Sequence, residues 1–259
     1  MKVIRHADDF GYDADTTVTT IDCFRRGLLT SASIMAKMPA TQPAIAFAKA
    51  HPEFSFGAHL VYVDGEHERP LCDPRELTSI TDGEGRFLQT NVLRKKAILG
   101  NVQVADVARE TEAQLAALRD CGVDLSHVDA HGHIHKLAPV RQALALVLPR
   151  FGIRRVRSVQ NVFFSRRFGS ATYWLGAYWE RDIRKRWCTT EFFYMIPAFE
   201  EDGWWNRLDA LFERPGTMEV GFHPGTTEPW RVRELRVVEA FTQACHARGV
   251  QWATWKDVD

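Results

Sequence analysis

Between His127 and His135 the chain reads His-Val-Asp-Ala-His-Gly-His-Ile-His, so four of its ten histidines fall within nine residues. Imidazole is the commonest protein ligand for metals and a ready proton carrier, and a nearby carboxylate fixes which ring nitrogen is free. If the segment is a strand over His127–His131 and beyond, side chains two apart share a face, so Asp129, His131 and His133 project together. A solvated polar strand edge is the bland alternative. The buried-type patterns on either side argue against it, leaving metal binding or catalysis as the reading.

Three further sites invite the same question. Asp8-Asp9 follows a short strand candidate, Lys2–Ala7. Adjacent carboxylates repel unless a cation or a shared proton relieves them, although an aspartate at a strand–helix junction also serves as a helix N-cap. His59 ends a strand candidate over Phe54–Leu60, where Gly57 permits close backbone approach. Alone it reads more readily as a hydrogen-bonded core histidine than as a ligand. His223 ends another strand candidate just before Pro224-Gly225, and alone it reads as a turn residue. Two histidines and one carboxylate make a three-ligand site with an open position for water, suited to Zn²⁺, or to Mg²⁺ where oxygen ligands dominate.

These residues need a scaffold that brings strand ends together. Helical spacing along Val18, Ile21, Phe24 and Leu28, over Pro43–Ala50, along Val104–Leu118, over Pro139–Phe151 and along Val232–Cys245 alternates with strand candidates. Those candidates include Ser31–Ala36, Ile153–Val159, Met218–Phe222 and Gln251–Trp255. Such alternation indicates βαβ units and a parallel sheet. With seven or so units and no Gly-x-Gly-x-x-Gly, a single α/β domain closed as a barrel is favoured, and a barrel gathers strand ends on one face. From Val61 to about Asn101 the pattern fades into a long loop insertion, which lies over a site or is a surface excursion. The aromatic-rich stretch from Asn161 to Phe199 resists assignment. Of eight tryptophans most read as packing; Trp230, close behind the His223 turn, is the one positioned to meet a sugar ring. Arg181–Arg186 reads as a solvated helix face.

Composition narrows the classes. Lys plus Arg and Asp plus Glu are both 33, so bulk charge offers nothing to nucleic acid. Five scattered cysteines, never spaced C-x-x-C, fit a reducing compartment. The N-terminal MKVIRHADDF lacks a signal peptide's apolar core, and no apolar run nears the ~20 residues of a membrane span. The expectation is a soluble cytoplasmic protein without membrane or nucleic-acid partners and with homo-oligomerisation left open; a small-molecule or oligosaccharide substrate is implied only by the family resemblance that follows.

Taken in order, Ala7-Asp8-Asp9-Phe10-Gly11, Gly57-Ala58-His59-Leu60, His127–His135 and Val220-Gly221-Phe222-His223-Pro224-Gly225 resemble the YdjC-type carbohydrate deacetylases, which include chitooligosaccharide deacetylases. The resemblance runs from residue 2 to the end. It implies a distorted (β/α) barrel that removes acetyl groups from N-acetylated amino sugars with one divalent metal, Mg or Zn. Position by position it makes Asp9, His59 and His131 the metal ligands, Asp8 the general base and His223 the acid. Asp129 would orient a neighbouring histidine, and His135 and Trp230 would line the substrate groove. His6 and Ala58 depart from the usual residues without removing a metal-binding atom. A metal-dependent phosphoesterase or an O-deacetylase on the same barrel is the alternative. The phosphoesterase predicts basic side chains around the site, which the four blocks lack. A non-catalytic sugar-binding barrel ranks last, because both proton-transfer groups are present.

Overall fold

The computed structural model describes residues 1–163, 170–196 and 203–259. Strands and helices alternate through most of it: β1 (Lys2–Phe10), α1 (Ala14–Arg25), β2 (Ser31–Ile34), α2 (Thr41–Ala50), β3 (Ser55–Leu60), α3 (Thr90–Ile98), α4 (Val104–Asp120), β4 (Leu125–Ala130), α5 (Ala138–Val147), α6 (Ala171–Arg186), β5 (Phe192–Met195), α7 (Asp209–Phe212), β6 (Thr217–Phe222), α8 (Pro229–Ala247) and β7 (Gln251–Trp252). The strand order is β4-β3-β2-β1-β6-β5, with β7 beside the start of β1, and every pairing is parallel. Parallel pairing puts all the carboxyl ends on one rim, where the sheet, curled into a half-barrel and flanked by helices, collects its polar side chains.

The central strand explains why a charged sequence folds inward. β1 is buried from Val3 to Phe10 although it carries Arg5, His6, Asp8 and Asp9. Burial of four such groups is tolerable only if each is paired. The apolar ledger is ordinary: Leu115 and Leu118 of α4, Leu144 and Val147 of α5 and Phe241 of α8 are all buried, each side chain contributing roughly 1.5–3 kcal/mol.

Two expectations are corrected. Ile153–Val159 does not form a strand; it touches the sheet through isolated parallel bridges, Val128 with Val156 and Arg155 with Cys188. The amides of Val128 and Arg157 still bond to Arg155 and Val128 carbonyls at 3.0 Å each, so the segment flanks β4 while lacking a continuous partner on its other side. The histidine-rich strand also stops early, at Ala130, and His131–Lys136 is a 3₁₀ turn. In the stretch Asn161–Phe199, α6 and β5 are formed, while 164–169 and 197–202 lie outside the described residues.

The excursion after β3 is anchored by α4. Asp106, Glu110 and Gln114 are spaced four apart, and each is buried on one helix face. Asp106 accepts from the Ser79 amide at 2.9 Å, Glu110 from those of Leu71 and Cys72 at 3.0 and 3.1 Å, and Gln114 brackets the Val61 amide and carbonyl at 2.9 and 2.7 Å. A polar stripe thus stands in for strand pairing and pins the loop backbone to the barrel.

Candidate active site

The two adjacent aspartates reach one cluster because β1 is irregular at its end. Neighbouring residues of a regular strand point to opposite faces. Here the register against β2 shifts between Ala7 and Phe10, and Asp9 adopts φ +60°. A non-glycine residue in that left-handed region carries a strain of about 1–3 kcal/mol that its surroundings must impose. They do so through three contacts. Asp9 Oδ1 lies 3.0 Å from His131 Nδ1 and 3.3 Å from His59 Nε2, and its Oδ2 accepts from Arg231 Nη2 at 2.7 Å.

His59 is aimed from behind. It is the direct parallel-strand neighbour of Asp129, and its Nδ1 donates to Asp129 Oδ1 at 2.8 Å. Ser33 of β2 donates to the other Asp129 oxygen at 3.0 Å. Gly57 is required nearby, since a Cβ there would come within 2.5 Å of the His127 ring. His131 is not placed by strand alternation. It is the first residue of the 3₁₀ turn, and φ of +61° at Gly132 and +54° at His133 sends the following ring elsewhere, to a centroid distance of 5.9 Å from Phe193. Asp129, His131 and His133 therefore do not project together: Asp129 backs His59, His131 meets Asp9, and His133 turns toward β5.

Asp8 is held separately. Arg157, wholly buried, donates from Nη1 to Asp8 Oδ2 at 2.8 Å and from Nη2 to Oδ1 at 2.7 Å. The same guanidinium reaches Asp129 Oδ2 at 2.7 Å and Glu219 Oε1 at 2.8 Å. His223, just past β6, has its amide and Nδ1 on Glu234 Oε2 at 2.7 and 3.1 Å, which leaves Nε2 3.9 Å from Asp8 Oδ2. Trp230, at the start of α8, packs edge-on to His223 at 5.3 Å. His135 is buried away from this cluster, in the wall of an adjoining cavity. Glu68, buried and supplied by the excursion, stands 3.8 Å from His131 Nε2.

Burial and neighbours set the charges. Burial opposes ionisation of Asp8, but Arg157 outweighs it and holds the carboxyl well below the usual range. Burial likewise opposes a charged Asp9, and His131 and His59 overcome it. The His59 ring is disfavoured as a cation by burial, yet Asp129, Asp9 and Asp8 push its pKa up to about 10. His223 is raised against burial by Glu234, Asp9 and Asp8. Burial lowers His135 to about 3. The pattern is an excess of carboxylate that calls for positive charge between Asp9 and the imidazoles.

Asp9, His59 and His131 fit a metal ion. Each offers a ligand atom within 4.8 Å of the others. Tetrahedral Zn²⁺ with nitrogen and oxygen ligands separates neighbouring donors by about 3.3 Å, and Asp9 Oδ1 is 3.3 Å from His59 Nε2 and 3.0 Å from His131 Nδ1. The Asp129 bond to His59 Nδ1 aims Nε2 at Asp9, where a bound cation would take the place of the proton that the carboxylates hold on the ring. Two other groupings, His6 with His127 and Asp129, and Asp8 with His59 and Asp129, also come within reach. They fit less well. Both His6 nitrogens lie against serine hydroxyls at 2.9 and 3.1 Å, and Arg157 already sits on Asp8 and Asp129.

Arg157, Arg231, Glu219, Glu234, Ser33 and Glu68 were not singled out from the sequence. Arg157 had little signal, being one of three arginines in Ile153–Val159. Arg231 and Glu234 lie one turn apart on the buried side of α8, a charged pair where the spacing calls for apolar residues.

Known proteins resemble the chain along nearly its whole length. A family model described as YdjC-like protein matches residues 2–257. A carbohydrate deacetylase of Geobacillus stearothermophilus is 35% identical over 98% of this chain and 96% of its own. One from Brevibacillus brevis is 36% identical over 52% of this chain and 50% of its own, and one from Clostridium beijerinckii is 25% identical over all of both chains. Among solved structures, a putative cellobiose-phosphate cleavage protein from Enterococcus faecalis V583 superposes with a TM-score of 0.75 at 21% identity, covering 98% of this chain and 97% of that one. At that identity the likeness speaks for the fold.

Proposed function

The chain belongs to the YdjC-like family, and from that premise we propose that it is a carbohydrate N-deacetylase that uses one divalent metal held by Asp9, His59 and His131. The observation that carries the reading is the convergence of these three side chains from the ends of β1, β3 and β4, with Asp8 and His223 flanking them. Its relatives of full-length similarity bear the name carbohydrate deacetylase, and deacetylation of a sugar is the hydrolysis this constellation is equipped for.

When bound, the metal supplies Lewis-acid polarisation of the acetamide carbonyl and a lowered pKa for water. Asp8 accepts the proton of the attacking water. Arg157 keeps it ionised throughout the neutral range and fixes both its oxygens, so the acceptor is oriented as well as charged. Among the described residues Arg231 Nη1 is buried without a hydrogen-bond partner, and it offers a charge-assisted donor to the carbonyl oxygen as negative charge develops there. His223, whose affinity for a proton Glu234 raises against burial, delivers a proton to the departing amine. An amine leaving group needs that proton more than an alkoxide does, which favours amide over ester as the substrate bond. Trp230 beside His223 offers an aromatic edge to the sugar.

The phosphoesterase alternative wants free cationic groups for phosphate. Arg157 is engaged by three carboxylates and Arg231 Nη2 by Asp9, so of these two guanidiniums only Arg231 Nη1 is left for a substrate oxygen, enough for one carbonyl and fewer donors than a phosphate calls for. The test is acetate release from N-acetylglucosamine oligomers, with and without chelator, against release of phosphate from phosphate esters. Chelator-sensitive acetate release is expected. Phosphate release without acetate would overturn the reading.

A further inference from the structure

We propose that Glu68, brought in by the excursion after β3, is the positioning residue of His131, so that the grip on a metal depends on this loop as well as on the sheet. The inference rests on the metal reading above and deepens it by naming a further member of the site.

The two imidazoles are arranged alike. His59 turns Nε2 to Asp9 at 3.3 Å and Nδ1 to the Asp129 carboxylate at 2.8 Å. His131 turns Nδ1 to Asp9 at 3.0 Å, and its Nε2 faces Glu68 Oε1 at 3.8 Å. In each ring one nitrogen looks inward and the other looks at a carboxylate, the arrangement that fixes a ligating histidine and strengthens its hold on a cation. The distance to Glu68 is that of an ion pair rather than a hydrogen bond, and burial makes it count. Glu68 is 3% exposed, and His131 is its only ion-pair partner among the described residues. A buried carboxylate is costly unless paired, so its place beside this ring has to be imposed by the fold.

The loop imposes it. Glu68 Oε2 accepts from the His67 amide at 2.9 Å, which leaves Oε1 as the oxygen toward the ring. Arg69 Nη1 donates to the Glu68 carbonyl at 2.7 Å and Lys37 Nζ to that of Pro70 at 3.0 Å, while Glu110 of α4 takes the amides of Leu71 and Cys72. The polar stripe of α4 therefore steadies the segment that carries Glu68. Gly65 makes the room: a Cβ there would stand 2.5 Å from the carboxyl Cδ and 2.6 Å from Oε1. The excursion, which the sequence left as either a cover over a site or a surface loop, thus reaches into the site.

Gly65 also gives a test that leaves the charge in place. It has no left-handed φ, so Gly65→Ala adds one methyl with little backbone strain and pushes the carboxylate away from His131. Equilibrium dialysis of metal-stripped protein against Zn²⁺ should show an affinity lower by about 10–100-fold in Glu68→Gln, the usual worth of such a partner. Gly65→Ala should lose affinity as well, and adding it to Glu68→Gln should cost little more, as for two changes to one contact. The urea midpoint of metal-free Glu68→Gln should not fall, whereas a carboxylate that only held the loop would lower that midpoint and leave the affinity in place. Unchanged affinity in Glu68→Gln, or a full further loss on adding Gly65→Ala, would overturn the proposal. These readings need no substrate. If the unaltered protein itself binds no zinc, the metal reading fails and takes the proposal with it; if it binds zinc and Glu68→Gln binds equally, only the proposal fails.

Discussion

Arg157 holds Asp8 by both oxygens, at 2.8 and 2.7 Å, across 149 residues of chain. One guanidinium thereby neutralises Asp8 and braces Asp129, which in turn orients His59. The proposed base and the proposed metal site are linked through a single buried cation.

Replacing Arg157 by Met should accordingly destabilise the fold. It leaves Asp8, Asp129 and Glu219 buried without their counter-charge, and breaking such a pairing costs about 3–5 kcal/mol. Arg157→Lys keeps the charge without the planar fork and should fall between. Urea unfolding checks this; an Arg157→Met midpoint equal to that of the unaltered protein would contradict it.

The same cluster fixes the acid limb of stability. Asp8 and Asp129 have folded pKa values held below the ordinary 3.8 against burial, by Arg157 in both cases. A depressed carboxylate pKa contributes stability that is complete above the unfolded pKa and is lost as pH falls through the folded one. Glu219, raised by burial above 4.5, works in the opposite sense. Thermal midpoints should therefore fall steeply below about pH 4, and less steeply in Asp129→Asn. Identical slopes for the two proteins would count against the assignment.

His223 should set the alkaline limb of turnover. Its pKa is raised against burial by Glu234 first and by the aspartates after it. Glu234→Gln removes the leading raising influence, so the ring loses its proton at lower pH and the fall in kcat moves toward neutrality. An alkaline limb left in place, or moved upward, would remove His223 from the role of acid.

The aspartates should separate by function. Asp8→Asn should keep its metal and lose about 10²–10⁴ in kcat, the usual worth of a positioned proton acceptor. Asp129→Asn should weaken metal binding by about 10–100-fold through His59. Equal metal loss in both variants would merge the two roles into one.

Much of this was legible from residue order. The strand-end positions of Asp9, His59 and His223 followed from alternating patterns, and a parallel fold brings such ends together. His131 was singled out on strand alternation, which is not what places it. Strand alternation was carried past Ala130, whereas positive φ at Gly132 and His133 breaks it, and an i, i+2 count cannot detect that break. Asp8-Asp9 hid a similar irregularity, because a register shift is a property of two strands and the sequence of one does not encode it. Arg157 and Arg231 escaped because their partners are distant in the chain, and Glu234 because its partner His223 lies outside the helix that carries it. Arg231 lies 222 residues from Asp9, and only tertiary packing turns a helix-surface charge into a buried tether. The polar stripe of α4 was overlooked beside its apolar one, since buried carboxylates that bond to loop amides resemble a solvated face in the sequence.

The most direct test of the metal claim is a titration of metal-stripped protein with Zn²⁺, read by equilibrium dialysis beside acetate release. One equivalent should bind, activity should return in proportion, and Asp9→Ala should show neither. Full turnover by the stripped protein, or undiminished binding by Asp9→Ala, would contradict the account.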